Sequence, residues 1–105
     1  MIAETTIHDA ARILVRAAGR ARVILFGSYA RGDAGADSDL DFLVIEPAVG
    51  SRRAETVRLR AALRPLRVPV DVLVVTEDQV RELGHIPGTV LHAALREGRV
   101  LHDPE

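Results

Sequence analysis

Three aspartates, Asp39, Asp41 and Asp71, carry the strongest chemical signal in this chain. Asp41 interrupts the apolar run of Leu40, Phe42, Leu43, Val44 and Ile45, and Asp71 interrupts Val70, Val72, Leu73, Val74 and Val75. An unpaired carboxylate buried in such a run is costly, so each acid calls for a partner. Asp39 and Asp41 stand two apart; on an extended strand they share a face, with Cα atoms about 6.6 Å apart. Neighbouring carboxylates repel and tend to hold a proton, and a divalent cation removes both problems. Hard oxygen donors, with no Cys in the chain and no His beside them, suit magnesium. If the strands bearing Asp41 and Asp71 are neighbours, three carboxylates converge at one end of a sheet. Such a set can bridge two metal ions about 3.5–4 Å apart, clamping the attacking and leaving oxygens of phosphoryl or nucleotidyl transfer.

Gly27-Ser28 supplies the complementary half. A glycine where a strand gives way to a helix lets backbone approach a ligand closely. The helix start offers N–H groups and a positive dipole end to phosphate, and the Ser28 hydroxyl adds a donor. Arg31 follows one helical turn later and can reach the same side; equally, it can be a surface cation balancing Asp33 or Asp37. Phosphate donors plus metal ligands, with no evident covalent nucleophile, are what nucleotidyl transfer requires, because positioning and charge stabilisation dominate its catalysis.

The elements that position these residues follow from the hydrophobic pattern. Thr5 or Thr6 is expected to cap a first helix with Ile7, Ala10, Ala11, Leu14 and Val15 as its apolar stripe, ending at Gly19. Continuous apolar runs predict strands over 22–26, 40–45 and 68–75. A short helix opens at 29–31, and 32–38 is a polar turn. Ser51 caps a helix to about residue 64, stopped by Pro65. Thr76 and Gln79 form a capping box for a short helix ending near Gly84. Thr89 caps a last helix through Glu97, Gly98 ends it, and 99–101 adds an edge strand. This alternation predicts an α/β (α+β) architecture, a small sheet flanked by helices, as one domain over 1–105.

The bulk properties agree. Of 105 residues, 48% are hydrophobic and 28% charged, as in a globular domain. The net charge of −1 gives no global bias toward nucleic acid or membrane. All 14 basic residues are Arg. The missing cysteines exclude disulfides and thiolate metal sites. No stretch reads as a signal peptide or membrane span. The expectation is a soluble, cytoplasmic protein.

Gly27-Ser28, ten intervening residues and then Asp39-x-Asp41 resemble the signature of the DNA polymerase β-like nucleotidyltransferase superfamily. The fuller strings Gly27-Ser28-Tyr29-Ala30-Arg31-Gly32 and Ser38-Asp39-Leu40-Asp41 resemble the minimal nucleotidyltransferase (MNT) family in particular. The likeness extends to Asp71 as third carboxylate and to the closing Glu97-Gly98-Arg99-Val100-Leu101. It implies a short mixed sheet flanked by helices, two magnesium ions and a nucleoside triphosphate, commonly ATP. By the resemblance, Asp39 and Asp41 would ligate both metals, Asp71 would ligate the catalytic metal and help activate the acceptor, and Gly27 and Ser28 would hold the triphosphate. Many such proteins pair with a helical HEPN toxin, a ribonuclease, as antitoxins, some by transferring AMP to a toxin tyrosine.

The expected function is therefore transfer of AMP from ATP to a hydroxyl of a HEPN-type partner protein. The chain ends soon after its last expected element, which leaves no room for an acceptor-binding domain and favours a protein acceptor, within a homo- or hetero-oligomer. Two alternatives remain: a non-catalytic module that neutralises a partner by covering it, and a transferase acting on tRNA or an aminoglycoside-like molecule. The only local hint of RNA is Arg52, Arg53, Arg58, Arg60, Arg64 and Arg67, read first as a solvated face with Glu55 and otherwise as a phosphate track. No interleaved aromatics mark a stacking platform. His8, His85, His92 and His102 lack metal-type spacing, and Tyr29 is expected to pack or to stack on a base.

Overall fold

A computed structural model describes residues 1–104. In chain order its elements are α1 (Glu4–Ala18), β1 (Arg22–Phe26), α2 (Ser28–Arg31), β2 (Leu40–Glu46), α3 (Arg52–Leu63), a 3₁₀ turn (Arg64–Leu66), β3 (Val70–Thr76), α4 (Glu77–Leu83), α5 (Val90–Glu97) and β4 (Arg99–His102). The strands form one mixed sheet in the order β3-β2-β1-β4. β1 runs antiparallel to both β2 and β4, whereas β2 and β3 are parallel.

Both faces of the sheet are covered, which explains the unbroken apolar runs in β1 and β2. Side chains alternate between faces with period two. Val23, Leu25, Leu40, Phe42, Val44, Val72 and Val74 pack with Ile7, Ala10 and Leu14 of α1 and Leu59 and Leu63 of α3. Ile24, Leu43, Ile45 and Val75 pack on the other side with Leu91 and Ala94 of α5. Arg58 ties α3 to the end of α1: it donates to both Glu55 carboxylate oxygens, at 2.9 and 2.8 Å, and to the Ala17 carbonyl at 2.8 Å.

The capping chemistry places most helix ends. Ser51 accepts from the Ala54 N–H, Thr89 from the His92 N–H, and Thr76 with Gln79 closes a complete capping box. The expected Thr5 or Thr6 cap of α1 is not used. Ala3 is the N-cap, its carbonyl accepting the N–H of Thr6 and Ile7, and Glu4 enters the first turn, where its charge suits the helix dipole. Pro65 stops α3 as expected, the helix ending at Leu63 with Arg64 as its C-cap. It sits at the start of the 3₁₀ turn, where a missing N–H costs nothing. Arg67, at φ 53°, then turns the chain, so β3 begins at Val70 rather than at 68. The expected edge strand after Gly98 forms as β4, beside β1.

Candidate functional site

The sheet brings one end of three strands together. β1 ends where β2 begins, and parallel β3 begins at the same level: Asp41 pairs with Phe26 on one side and with Asp71 on the other. Adjacent strands lie about 4.8 Å apart, so the two aspartates start from neighbouring backbone positions. By alternation Asp41 shares a face with Leu43 and Ile45, and Asp71 shares that face with Leu73 and Val75. The conditional step of the sequence reading, that the two acid-bearing strands are neighbours, holds.

Asp41 is half-buried and its carboxyl titrates above the ordinary carboxylate range. Burial is the main cause; repulsion from Asp71 comes next, then from Asp39, while Arg31 pulls the other way. The charges of all three acids therefore act on one spot. Asp71 is exposed, and one of its oxygens accepts the Val72 N–H at 3.1 Å. Asp39 lies just before β2 rather than within it and is exposed. β2 begins at Leu40, whose N–H is taken by the Pro69 carbonyl, so Asp39 stands immediately before the strand.

Gly27 completes the corner. It adopts φ 76°, ψ −156°, a region open to glycine and strained for other residues. A Cβ built there would stand 2.2 Å from Asp41 Oδ2. Glycine is therefore required both by the backbone and by the carboxylate. Its carbonyl accepts the N–H groups of Ala30 and Arg31, and that of Ser28 accepts those of Gly32 and Asp33. The N–H groups of Ser28 and Tyr29 stand outside this set, at the start of α2 beside Asp41.

Arg31 is half-exposed and already engaged: Nε lies 3.2 Å from Asp33 and Nη1 lies 3.5 Å from Glu97. The balancing role foreseen with Asp33 is realised, and Glu97 is an additional partner that no local pattern announced. Tyr29 packs rather than standing free, and its hydroxyl accepts the Ile2 N–H at 2.9 Å.

Whether these residues fit divalent cations is answered by their donor set. Asp39, Asp41 and Asp71 offer only hard oxygens, the donor type that suits magnesium. Among the described residues no three acidic, histidine or cysteine side chains are yet drawn together closely enough to grip an ion.

Comparisons with known proteins agree with this architecture. The nucleotidyltransferase domain model matches residues 7–95. A solved structure described as a minimal nucleotidyltransferase is 34% identical, with 94% of this chain and 95% of that chain covered and a TM-score of 0.64. A crystal structure of a toxin–antitoxin with AMP-PNP is 21% identical, with 93% and 74% covered and a TM-score of 0.55, a likeness of fold. No curated protein matches the chain. Among the described residues no helix is long and apolar enough to cross a membrane. With a matched span that takes in Gly27, Ser28, Asp39, Asp41 and Asp71, the chain belongs to the nucleotidyltransferase domain family, in its minimal form.

Proposed function

We propose that this protein transfers AMP from ATP to a hydroxyl of a partner protein and serves as the antitoxin of a HEPN/MNT-type pair. The observation that carries the reading is the registered pair Asp41 and Asp71 against the side-chain-free face of Gly27. Asp39 and Asp41 would hold two magnesium ions, with Asp71 as third ligand, and the ions would neutralise triphosphate charge and polarise the α-phosphate. The amides of Ser28 and Tyr29 and the Ser28 hydroxyl face the phosphates. The acceptor oxygen bonds to the α-phosphorus, the bond to pyrophosphate breaks, and Asp71 takes the hydroxyl proton. Arg31 steadies the α2 corner through Asp33 and Glu97 and adds positive charge beside the phosphates. The toxin–antitoxin relative supports the choice of a protein partner.

The test is incubation with labelled ATP, magnesium and the candidate partner, followed by mass analysis of the partner. An added AMP on a partner hydroxyl supports the proposal. An unmodified partner alongside a labelled RNA or small molecule rejects it.

A second reading, neutralisation by covering the partner without catalysis, draws on the same toxin–antitoxin relative. The Asp39→Ala/Asp41→Ala variant separates the two: a folded variant that still neutralises the partner in full selects the covering role.

A further inference from the structure

α3 carries a solvent-facing stripe beside the candidate site. Val57, Arg60 and Arg64 follow at i, i+3 and i+7, one face of the helix and of the turn that continues it. With Val68, Pro69 and Val70 at the start of β3 they line an open groove of about 540 Å³, and Asp39 belongs to the same lining. The groove thus reaches Asp39, the one acid of the site in its lining, while Asp41 and Asp71 belong to the opposite face of the sheet.

Two features of this groove want a partner. Val57 is 60% exposed in the middle of the helix, an apolar residue left in water. Arg60 and Arg64 have no hydrogen-bonding or ion-pair partner for their guanidinium groups among the described residues. Arg58, on the neighbouring face, is by contrast locked to Glu55 and Ala17. The groove therefore combines an apolar floor, two uncommitted guanidinium groups and an opening onto Asp39. A nucleic-acid strand fits this poorly: the lining holds no aromatic ring to stack a base.

We propose that the groove between α3 and the start of β3 seats an acidic segment of the partner protein, anchored by an apolar side chain over Val57, and so guides the acceptor hydroxyl to the site. The inference rests on the reading of that site as a nucleotidyltransferase with a protein acceptor. Carboxylates of the segment pair with Arg60 and Arg64, and the long-range attraction speeds encounter and weakens with salt.

The test uses the full chain and a short fluorescein-labelled peptide of Glu, Leu and one Tyr, read by anisotropy. Its Lys-for-Glu counterpart and a short labelled RNA are the comparisons. The acidic peptide is expected to bind. Arg60→Glu/Arg64→Glu and, separately, Val57→Asp are each expected to weaken it about tenfold or more, and the Lys peptide is expected not to bind. The milder Arg60→Gln/Arg64→Gln variant and a thermal melt guard against a folding artefact. Preference for RNA, or equal peptide affinity in all variants, overturns the proposal. Binding is measured without nucleotide and so stands apart from catalysis. Partner modification that is untouched by the Arg60→Glu/Arg64→Glu variant removes the groove and leaves the site reading in place; peptide binding with no nucleotidyl transfer does the reverse.

Discussion

Gly27 and Asp41 occupy one space: the side chain that glycine lacks would lie 2.2 Å from Asp41 Oδ2. The contact joins the end of β1 to the second position of β2, at the spot where burial and two neighbouring acids already press on the Asp41 carboxyl.

Gly27→Ala is expected to lower stability by about 2 kcal/mol, from strain at positive φ plus displacement of the carboxylate. Activity is expected to fall about a hundredfold, because the acid moves. A double-mutant cycle checks the cause: the same substitution on an Asp41→Ala background is expected to cost about 1 kcal/mol less. Equal costs in the two backgrounds would show that backbone strain alone is responsible.

Asp41→Asn removes one of three mutually repelling charges. Nucleotidyl transfer is expected to fall about a thousandfold or more, while the thermal midpoint of the metal-free protein at neutral pH rises. EDTA is expected to abolish transfer without unfolding the protein, as read by circular dichroism. A lower melting point for the variant would show that Asp41 is held by contacts that favour its charge.

Glu46 predicts a pH dependence of stability. It is buried at the far end of β2, and one of its oxygens has no hydrogen-bond partner among the described residues. Burial, then the hydrogen bond with Glu55 and its charge, push the Glu46 carboxyl up from 4.5 to about 7, against the opposing Arg58. Between these two values the folded protein binds more protons than the unfolded chain. The contribution is therefore full below the unfolded value and lost as pH rises through about 7. Glu55, held low chiefly by Arg58, acts with the opposite sign and below its ordinary 4.5. Glu46→Gln is expected to raise the melting point more at pH ~8 than at pH ~5.5; a variant with an unchanged pH profile would place the dependence elsewhere.

Arg31→Ala separates positioning from mere surface charge balance. Its two ion pairs are half-exposed, so the melting point is expected to change little. The KM for ATP is expected to rise about tenfold, the scale of one charged hydrogen bond. Glu97→Gln, which frees one side of Arg31, tests whether the link across 66 residues orients the guanidinium. An unaltered KM in both variants would assign Arg31 to surface balance alone.

Much of this architecture was written locally. Val23, Ile24 and Leu25 announced a doubly covered strand, and Ser51, Thr76, Gln79 and Thr89 announced helix starts through hydrogen bonds made within three residues. The acids were legible because Asp41 and Asp71 offend the pattern around them. What stayed hidden depends on contacts distant in the chain. Leu40 joins β2 through pairing with β3, while Asp39, one residue earlier, does not, and no local property separates the two. The meeting of Arg31 with Glu97 needs the whole turn of the chain through α5 to exist. The stop at Pro65 is local as well: α3 ends at Leu63 with Arg64 as its C-cap, and only the 3₁₀ turn that follows was not legible.

The sheet order sets the two paired acids under different constraints. Asp41 rides on an inner strand, laced to β1 on one side and β3 on the other. Asp71 rides on the border strand, laced on one side only. The corner thus joins an acid whose strand is gripped along both flanks to one whose strand is gripped along a single flank.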